Sequence, residues 1–184
     1  YLTIKDYDKE SNLFLLDFPN NEVKSGFLAM VATNYLQCTT PMESWIVKAV
    51  FALRRGQLEK FRKMLTSFLA SIPYTMRRKE NERERERYFH YTFYLLLRLM
   101  SVYTVLTEKE QSEGRVDCIV ETPKYVYIFE FKLDGTAAEA LQQIDTKGYA
   151  RPYEADTRQV YKIGVNFSSE TGTVAEWTSV NNQQ

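Results

Sequence analysis

The sequence has little of several features that identify common classes of protein. Its 184 residues include one histidine, and 24 Lys and Arg balance 24 Asp and Glu. It contains no N-terminal signal peptide, no phosphate-binding loop and no apolar run near the roughly 18 residues of a membrane helix. We therefore expect no membrane association and no ATP hydrolysis. Any binding of nucleic acid has to use a local basic patch, because there is no overall positive field.

Cysteine is also scarce. Cys38 and Cys118 lie far apart and lack the spacing of a metal site. We interpret both as ordinary core thiols of a reducing compartment, which favours a cytoplasmic protein. The single histidine, His90, is interpreted as structural, with a catalytic role as the less favoured alternative.

The chain is 44% hydrophobic, which is enough for a sizeable core. Residues 1–72 are predicted to form a hairpin and three helices. Residues 73–184 are predicted to form an α/β (α+β) core of a helix, a three-stranded antiparallel meander, a helix and two further strands. Several apolar positions mark the buried faces of the three helices. They are Val23, Phe27, Met30, Val31 and Tyr35 in the first, Trp45, Ile46, Ala49, Val50 and Leu53 in the second, and Leu58, Phe61, Met64, Leu65, Phe68 and Leu69 in the third.

A predicted β-hairpin over residues 114–132 carries the most informative pattern. Its second strand is apolar on both faces, as in a strand covered on both sides, except that Glu130 and Lys132 interrupt one face. A tight turn closing Glu121 against Lys124 places Asp117 opposite Ile128 and diagonal to Glu130. Two carboxylates would then share one apolar face.

Buried carboxylates repel each other, and a hard divalent cation would relieve that repulsion. Mg²⁺ binds carboxylate oxygens, waters and phosphate oxygens, while a neighbouring Lys can orient water or neutralise charge on a phosphate. Asp117, Glu130 and Lys132 thus indicate phosphodiesterase chemistry. The alternative is a partly exposed ion pair on a sheet edge, which the Glu-x-Lys pattern alone does not distinguish from a site.

Two helices supply further candidates. Glu86 falls in the middle of the apolar face of the helix that precedes the strands, where it is either a third acidic group near Asp117 and Glu130 or a solvated residue beyond the sheet. In the helix that Thr136 begins, Gln143 and Lys147 form a stripe. That stripe either reaches a substrate backbone or is simply solvated.

The element order, together with the segments GRVD, IFEFK and ALQQIDTKGYA, resembles the PD-(D/E)XK nuclease superfamily. More narrowly, it resembles the nuclease-like domain that follows an AAA-ATPase-like domain in a group of bacterial proteins. The resemblance covers the whole chain, with residues 1–72 similar to the segment that joins the two domains. It implies a restriction-endonuclease-like core, a nucleic-acid substrate with DNA favoured over RNA, Mg²⁺ or Mn²⁺ as cofactor, and an upstream AAA-ATPase-like domain as partner.

The resemblance also implies residue roles. Asp117 and Glu130 match the metal ligands and Lys132 the catalytic lysine, with the carbonyl of Phe131 and the carboxylate of Glu86 as additional ligands. Gln143 and Tyr149 resemble a helix motif that contacts the nucleic-acid backbone, and Lys147 and Arg115 are further candidates for substrate binding. Arg115-Val116 stands before the Asp where the superfamily's name has Pro. A regulatory module that does not cut, or a nucleic-acid binder without cleavage, remains the alternative.

Overall fold

The N-terminal elements are a two-stranded hairpin and three helices. The computed structural model describes residues 1–37, 42–72, 88, 91–92, 95–96, 100, 105–107, 110–111, 114–115 and 117–181. Strands β1 (Thr3–Asp8) and β2 (Leu13–Asp17) pair antiparallel, and helices α1 (Asn21–Leu36), α2 (Met42–Arg54) and α3 (Leu58–Ser71) follow. These elements agree with the predicted ones, whereas a domain boundary at residue 72 stays a prediction.

Helix α1 buries a different face from the predicted one. Met30 and Tyr35 are exposed, and the buried side chains are Ala29, Ala32 and Leu36. The buried face thus combines two alanines with Leu36, while Val23, Phe27 and Val31 of the predicted face are half-buried. The helix begins at Asn20, whose side chain accepts a hydrogen bond from the backbone N–H of Val23.

Helices α2 and α3 form a layer that covers one face of the sheet. All the apolar positions predicted for α2 are buried, and so are those of α3 except the half-buried Met64. The ring of Phe61 packs 6.2 Å from that of Phe129 in the sheet. The buried hydroxyl of Tyr127 donates a 2.7 Å hydrogen bond to the carbonyl of Leu53 at the end of α2. One hydrophobic cluster therefore joins the helices to the sheet.

The main sheet has five strands in the order β3-β6-β7-β8-β9. Its strands are β3 (Val105–Thr107), β6 (Cys118–Glu121), β7 (Tyr125–Leu133), β8 (Gln159–Phe167) and β9 (Val174–Asn181), while β4 (Glu110–Gln111) and β5 (Gly114–Arg115) pair separately. The pairs β3–β6 and β6–β7 are antiparallel, as in the predicted meander, and β7 and β8 are parallel. Tyr88, Tyr91, Thr92, Leu95, Leu96 and Met100 are helical, in the predicted helix before the strands.

The register of the β6–β7 hairpin differs from the predicted one. Ile119, not Asp117, lies opposite Ile128. The loop is centred one residue later than expected, because the backbone N–H of Thr122 donates to the carbonyl of Tyr125 at 2.8 Å and its hydroxyl accepts from the Tyr125 N–H. Moving the loop by one residue shifts every cross-strand pair by two, so each side chain keeps its predicted face.

Helix α4 (Ala137–Thr146) covers the other face of the sheet and connects β7 to β8. The side chain and backbone of Thr136 and Glu139 form the predicted capping box at its start. Gly164 allows the helix to lie directly on β8, since a Cβ at that position would stand 2.1 Å from the carbonyl oxygen of Ala137. Ile144 then packs in a cluster with Ile119, Val126, Ile128 and Val160.

Candidate active site

Asp117 lies in a bend between β5 and β6, so the continuous strand predicted over residues 114–121 is interrupted there. Cys118 pairs with Phe129, and one further step along the two chains brings Asp117 level with Glu130 rather than diagonal to it. The carboxylate Oδ2 of Asp117 accepts a 2.8 Å hydrogen bond from the backbone N–H of Phe131. This bond fixes the acid against the end of β7.

Glu130 is a buried carboxyl group in the middle of β7, with only 2% of its surface exposed. Burial raises its pKa to about 8, and the charge of Asp117 adds to that effect, while a backbone hydrogen bond from Asp117 and the charge of Lys132 oppose it. Its Oε2 is buried and has no hydrogen-bond partner among the residues that the structure describes. The charge of Asp117 therefore destabilises the ionised form of its neighbour Glu130.

Lys132 and Gln143 complete the cluster. The ammonium of Lys132 donates a 2.6 Å hydrogen bond to Oε1 of Gln143. The Nε2 of the same amide donates to Oε1 of Glu130. Lys132 and Glu130 share a face of β7 because they are two residues apart, and α4 brings Gln143 between them.

Tyr149 lies just beyond α4 and is also part of the site. Its side chain is buried, and its backbone N–H donates to the carbonyl of Ile144 at 3.1 Å. Burial raises the pKa of Tyr149, as does the charge of Glu130, whereas a hydrogen bond from Gln143 opposes the shift. Five of the sequence candidates thus come together, namely Asp117, Glu130, Lys132, Gln143 and Tyr149.

Other candidates do not join this cluster or cannot be placed. The side chain of Lys147 is exposed at the end of α4, and its backbone N–H donates to the carbonyl of Gln143. Glu86 and His90 lie outside the described residues, and of Arg115 only the backbone is described. For Phe131, the contact in the site is its N–H, which the sequence does not single out because every non-proline residue has one.

The donor set fits a hard divalent cation. Two carboxylates lie side by side, and one buried carboxylate oxygen has no hydrogen-bond partner within the described part of the chain. Mg²⁺ and Mn²⁺ bind such oxygens, and a cation would remove the repulsion between Asp117 and Glu130. Across the described ranges no three His, Cys, Asp or Glu side chains converge, so a cation here would need water, substrate or backbone oxygens as well.

A second polar cluster, at the opposite end of the β6–β7 hairpin, has a different character. Arg158 contacts Asp156 at 2.6 Å and Glu121 at 2.9 Å. The hydroxyl of Tyr153 donates to Glu121. The guanidinium of Arg158 lowers the pKa of Asp156 to about 2. These acids contact a cation of the chain directly, whereas Oε1 of Glu130 contacts the amide of Gln143.

Comparison with known proteins gives a family and one distant relative. A family model described as the PD-(D/E)XK nuclease superfamily matches residues 84–177, which include every candidate of the cluster. An uncharacterized protein in the vnfD 5' region of Azotobacter chroococcum mcd 1 is 30% identical over 178 residues, covering 95% of this chain and 34% of the relative. The chain therefore spans about a third of the length of that relative. No solved structure matches this chain.

Proposed function

Because the chain belongs to the PD-(D/E)XK nuclease superfamily, we propose that it is a metal-dependent nuclease that uses the cluster at Asp117, Glu130 and Lys132. Members of the superfamily act on nucleic acid and generally use Mg²⁺ or Mn²⁺. In the described part of the chain, no helix is long and apolar enough to cross a bilayer. One observation carries the proposal: two neighbouring carboxyl groups lie beside a lysine, and one of them is buried with an oxygen that has no hydrogen-bond partner among the described residues.

Each residue has a role that follows from its chemistry. Asp117 and Glu130 would hold the cation through carboxylate oxygens, and the hydrogen bond from the Phe131 N–H keeps Asp117 oriented. A bound Mg²⁺ supplies a Lewis acid that makes a coordinated water more acidic and neutralises charge on a phosphate. The ammonium of Lys132 would stabilise negative charge that develops on the phosphate oxygens. We expect DNA rather than RNA as substrate. Sequence preference should be weak, because a cation and a lysine contact phosphate groups, which are the same in every nucleotide.

Asp117→Asn tests this function. It keeps the size of the side chain but removes one of the two charges, so we expect Mn²⁺ and Mg²⁺ affinity in calorimetry to fall and cleavage to drop by at least about 100-fold. Single- and double-stranded DNA and RNA should be incubated with both proteins. Asp145→Asn is the matched control, because Asp145 is an exposed acid of α4 that pairs with Lys162.

Three outcomes separate the alternatives. Metal binding and cleavage that both disappear in Asp117→Asn would support the nuclease. Salt-dependent binding of nucleic acid without a metal-dependent product would favour a binder that does not cut. No metal binding by the wild type, with nucleic acid present, would leave a docking or regulatory module as the better account.

We also propose that the β1–β2 hairpin contacts a further domain, for which the sequence resemblance suggests an AAA-ATPase-like domain. Every residue of both strands is exposed, including the apolar run Leu13–Leu16. An isolated two-stranded hairpin is marginally stable, and a contiguous exposed apolar surface usually marks an interface. In a longer polypeptide that carries both domains, backbone amides of β2 should exchange with deuterium more slowly than in this chain alone. Equal exchange rates would exclude the contact.

A further inference from the structure

Gln143 occupies a position that the fold determines closely. It lies about two turns into α4, whose start is fixed by the capping box at Thr136. The close approach of α4 to β8 at Gly164 brings this helix onto the sheet beside Glu130, because Glu130 and Gly164 are paired across β7 and β8. The half-buried amide of Gln143 then reaches both Glu130 and Lys132.

The two neighbours determine the orientation of the amide. The ammonium of Lys132 can only donate, so it must face the amide oxygen, which accepts its hydrogen bond at 2.6 Å. The amide nitrogen consequently faces Glu130 and donates to its Oε1. Only a side chain with a donor and an acceptor on one rigid plane can make both bonds. A carboxylate at position 143 would repel Glu130, and an apolar side chain would make neither bond.

The amide nitrogen of Gln143 already donates within the protein, to Oε1 of Glu130. A phosphate oxygen is an acceptor, so it would have to compete with Glu130 for the amide N–H groups. A contact between Gln143 and the backbone of a nucleic acid, which the sequence resemblance implies, is therefore disfavoured by the geometry.

We propose that Gln143 is a positioning residue that holds Glu130 by one carboxylate oxygen, leaves the other oxygen for the cation, and holds Lys132 beside it. Glu130 Oε1 accepts from Gln143, while Oε2 is the buried oxygen without a partner among the described residues. The inference rests on the proposed function as far as the cation is concerned. The bridge between Lys132 and Glu130 is a property of the chain alone.

The first test measures metal affinity without nucleic acid. Gln143→Met keeps a similar length but removes both hydrogen bonds, and Gln142→Met changes the exposed neighbouring glutamine of the same helix as a control. We expect Mn²⁺ affinity in calorimetry to fall about 10- to 100-fold for Gln143→Met, as for other partners of metal ligands, and to stay the same for the control. The kcat for cleavage should fall while the KM for nucleic acid changes little.

The opposite pattern would overturn the inference. If Gln143→Met binds Mn²⁺ as the wild type does and only its KM for nucleic acid rises, Gln143 contacts substrate and does not position Glu130. Metal affinity separates the two roles because it is measured before any substrate is added.

A second test does not depend on metal or on activity. The side-chain amide resonances of Gln143 are assigned in the metal-free wild type as the pair that disappears from the ¹⁵N spectrum of Gln143→Met. Lys132→Met should then shift them, whereas Lys147→Met, which changes an exposed lysine at the end of α4, should not. If the side-chain amide resonances of Gln143 do not shift in Lys132→Met, the bridge is refuted. A wild type that binds no metal but passes this test would refute the proposed function and leave the bridge established.

Discussion

Replacing Glu130 by Gln should make the protein more stable while removing its capacity to hold a cation. The side chain is 2% exposed, and burial together with the charge of Asp117 raises its pKa from 4.5 to about 8. Gln has nearly the same shape and no charge at any pH. It can still accept the hydrogen bond that Gln143 donates to position 130. The substitution therefore removes the electrostatic cost and keeps the packing.

The size of the effect depends on pH in a definite direction. A carboxyl group whose folded pKa is raised binds its proton more tightly in the folded state, so its ionisation opposes folding. The penalty is absent below the unfolded pKa of 4.5, grows as pH rises, and levels off above the folded pKa of about 8. At about 1.4 kcal/mol per pKa unit, it amounts to about 3 kcal/mol at neutral pH and less than about 1 kcal/mol near pH 5.

Urea unfolding with a chelator present measures this difference. We expect Glu130→Gln to raise the free energy of unfolding by about 1–3 kcal/mol at pH 8 and by much less at pH 5, since part of the penalty is relieved by local rearrangement. Glu154→Gln, at an exposed glutamate, is the control and should change little at either pH. A Glu130→Gln protein that is less stable than the wild type at pH 8, or equally stabilised at both pH values, would refute the electrostatic account.

Two further substitutions test the frame that positions the site. Gly164→Ala should destabilise the protein by at least about 2 kcal/mol in thermal unfolding and weaken Mn²⁺ binding, because the new Cβ would stand 2.1 Å from the Ala137 carbonyl oxygen and push α4 off the sheet; an unchanged Tm would contradict this. Tyr127→Phe should cost about 1–3 kcal/mol in urea unfolding, since it leaves the Leu53 carbonyl without its 2.7 Å hydrogen bond. Its Mn²⁺ affinity should stay the same because Tyr127 faces the helices on the other side of the sheet, and a change there would contradict the two-layer arrangement.

The sequence predicts the face on which each side chain of the hairpin lies better than it predicts the register. The exact alignment of a hairpin depends on its turn, and here the hydrogen bonds of Thr122 with Tyr125 move the loop by one residue. The face on which a side chain lies depends only on whether its position is odd or even. A shift of the pairing by two residues therefore leaves every side chain on the same face. Asp117 therefore reaches Glu130 in spite of the wrong register. It lies level with Glu130 in a bend, instead of diagonal to it in a strand.

Helical contacts were predictable to different degrees. In α2 and α3 the apolar side chains at the predicted positions are buried, apart from the half-buried Met64, because these helices cover a broad sheet face of aromatic residues. In α1 the periodicity of large residues gave the wrong face, since Ala29, Ala32 and Leu36 are buried and Met30 and Tyr35 are exposed. A pattern of hydrophobicity cannot distinguish a helix that packs at short distance through alanines from one that packs through large side chains.

The contacts of Gln143 could not be predicted from the sequence because they depend on the distance between a helix and a strand. Spacing along α4 shows only that Gln143 and Lys147 share a side of the helix. Their surroundings differ in the structure, because Gln143 is hydrogen-bonded to Glu130 and Lys132 whereas the side chain of Lys147 is exposed. The absence of a side chain at Gly164 sets how close the helix comes.

The site therefore belongs to an interface between two elements rather than to one motif. Strand β7 supplies Glu130 and Lys132 on one face, which by themselves match a common ion-pair pattern. In α4, the amide of Gln143 lies between the ammonium of Lys132 and the carboxylate of Glu130. These two charged groups therefore do not form a direct ion pair. Glu121 and Asp156 show the opposite case, where Arg158 contacts both acids. Among the described residues, Glu130 contacts an amide instead of a cation, and this is why we propose that Glu130 binds a metal ion.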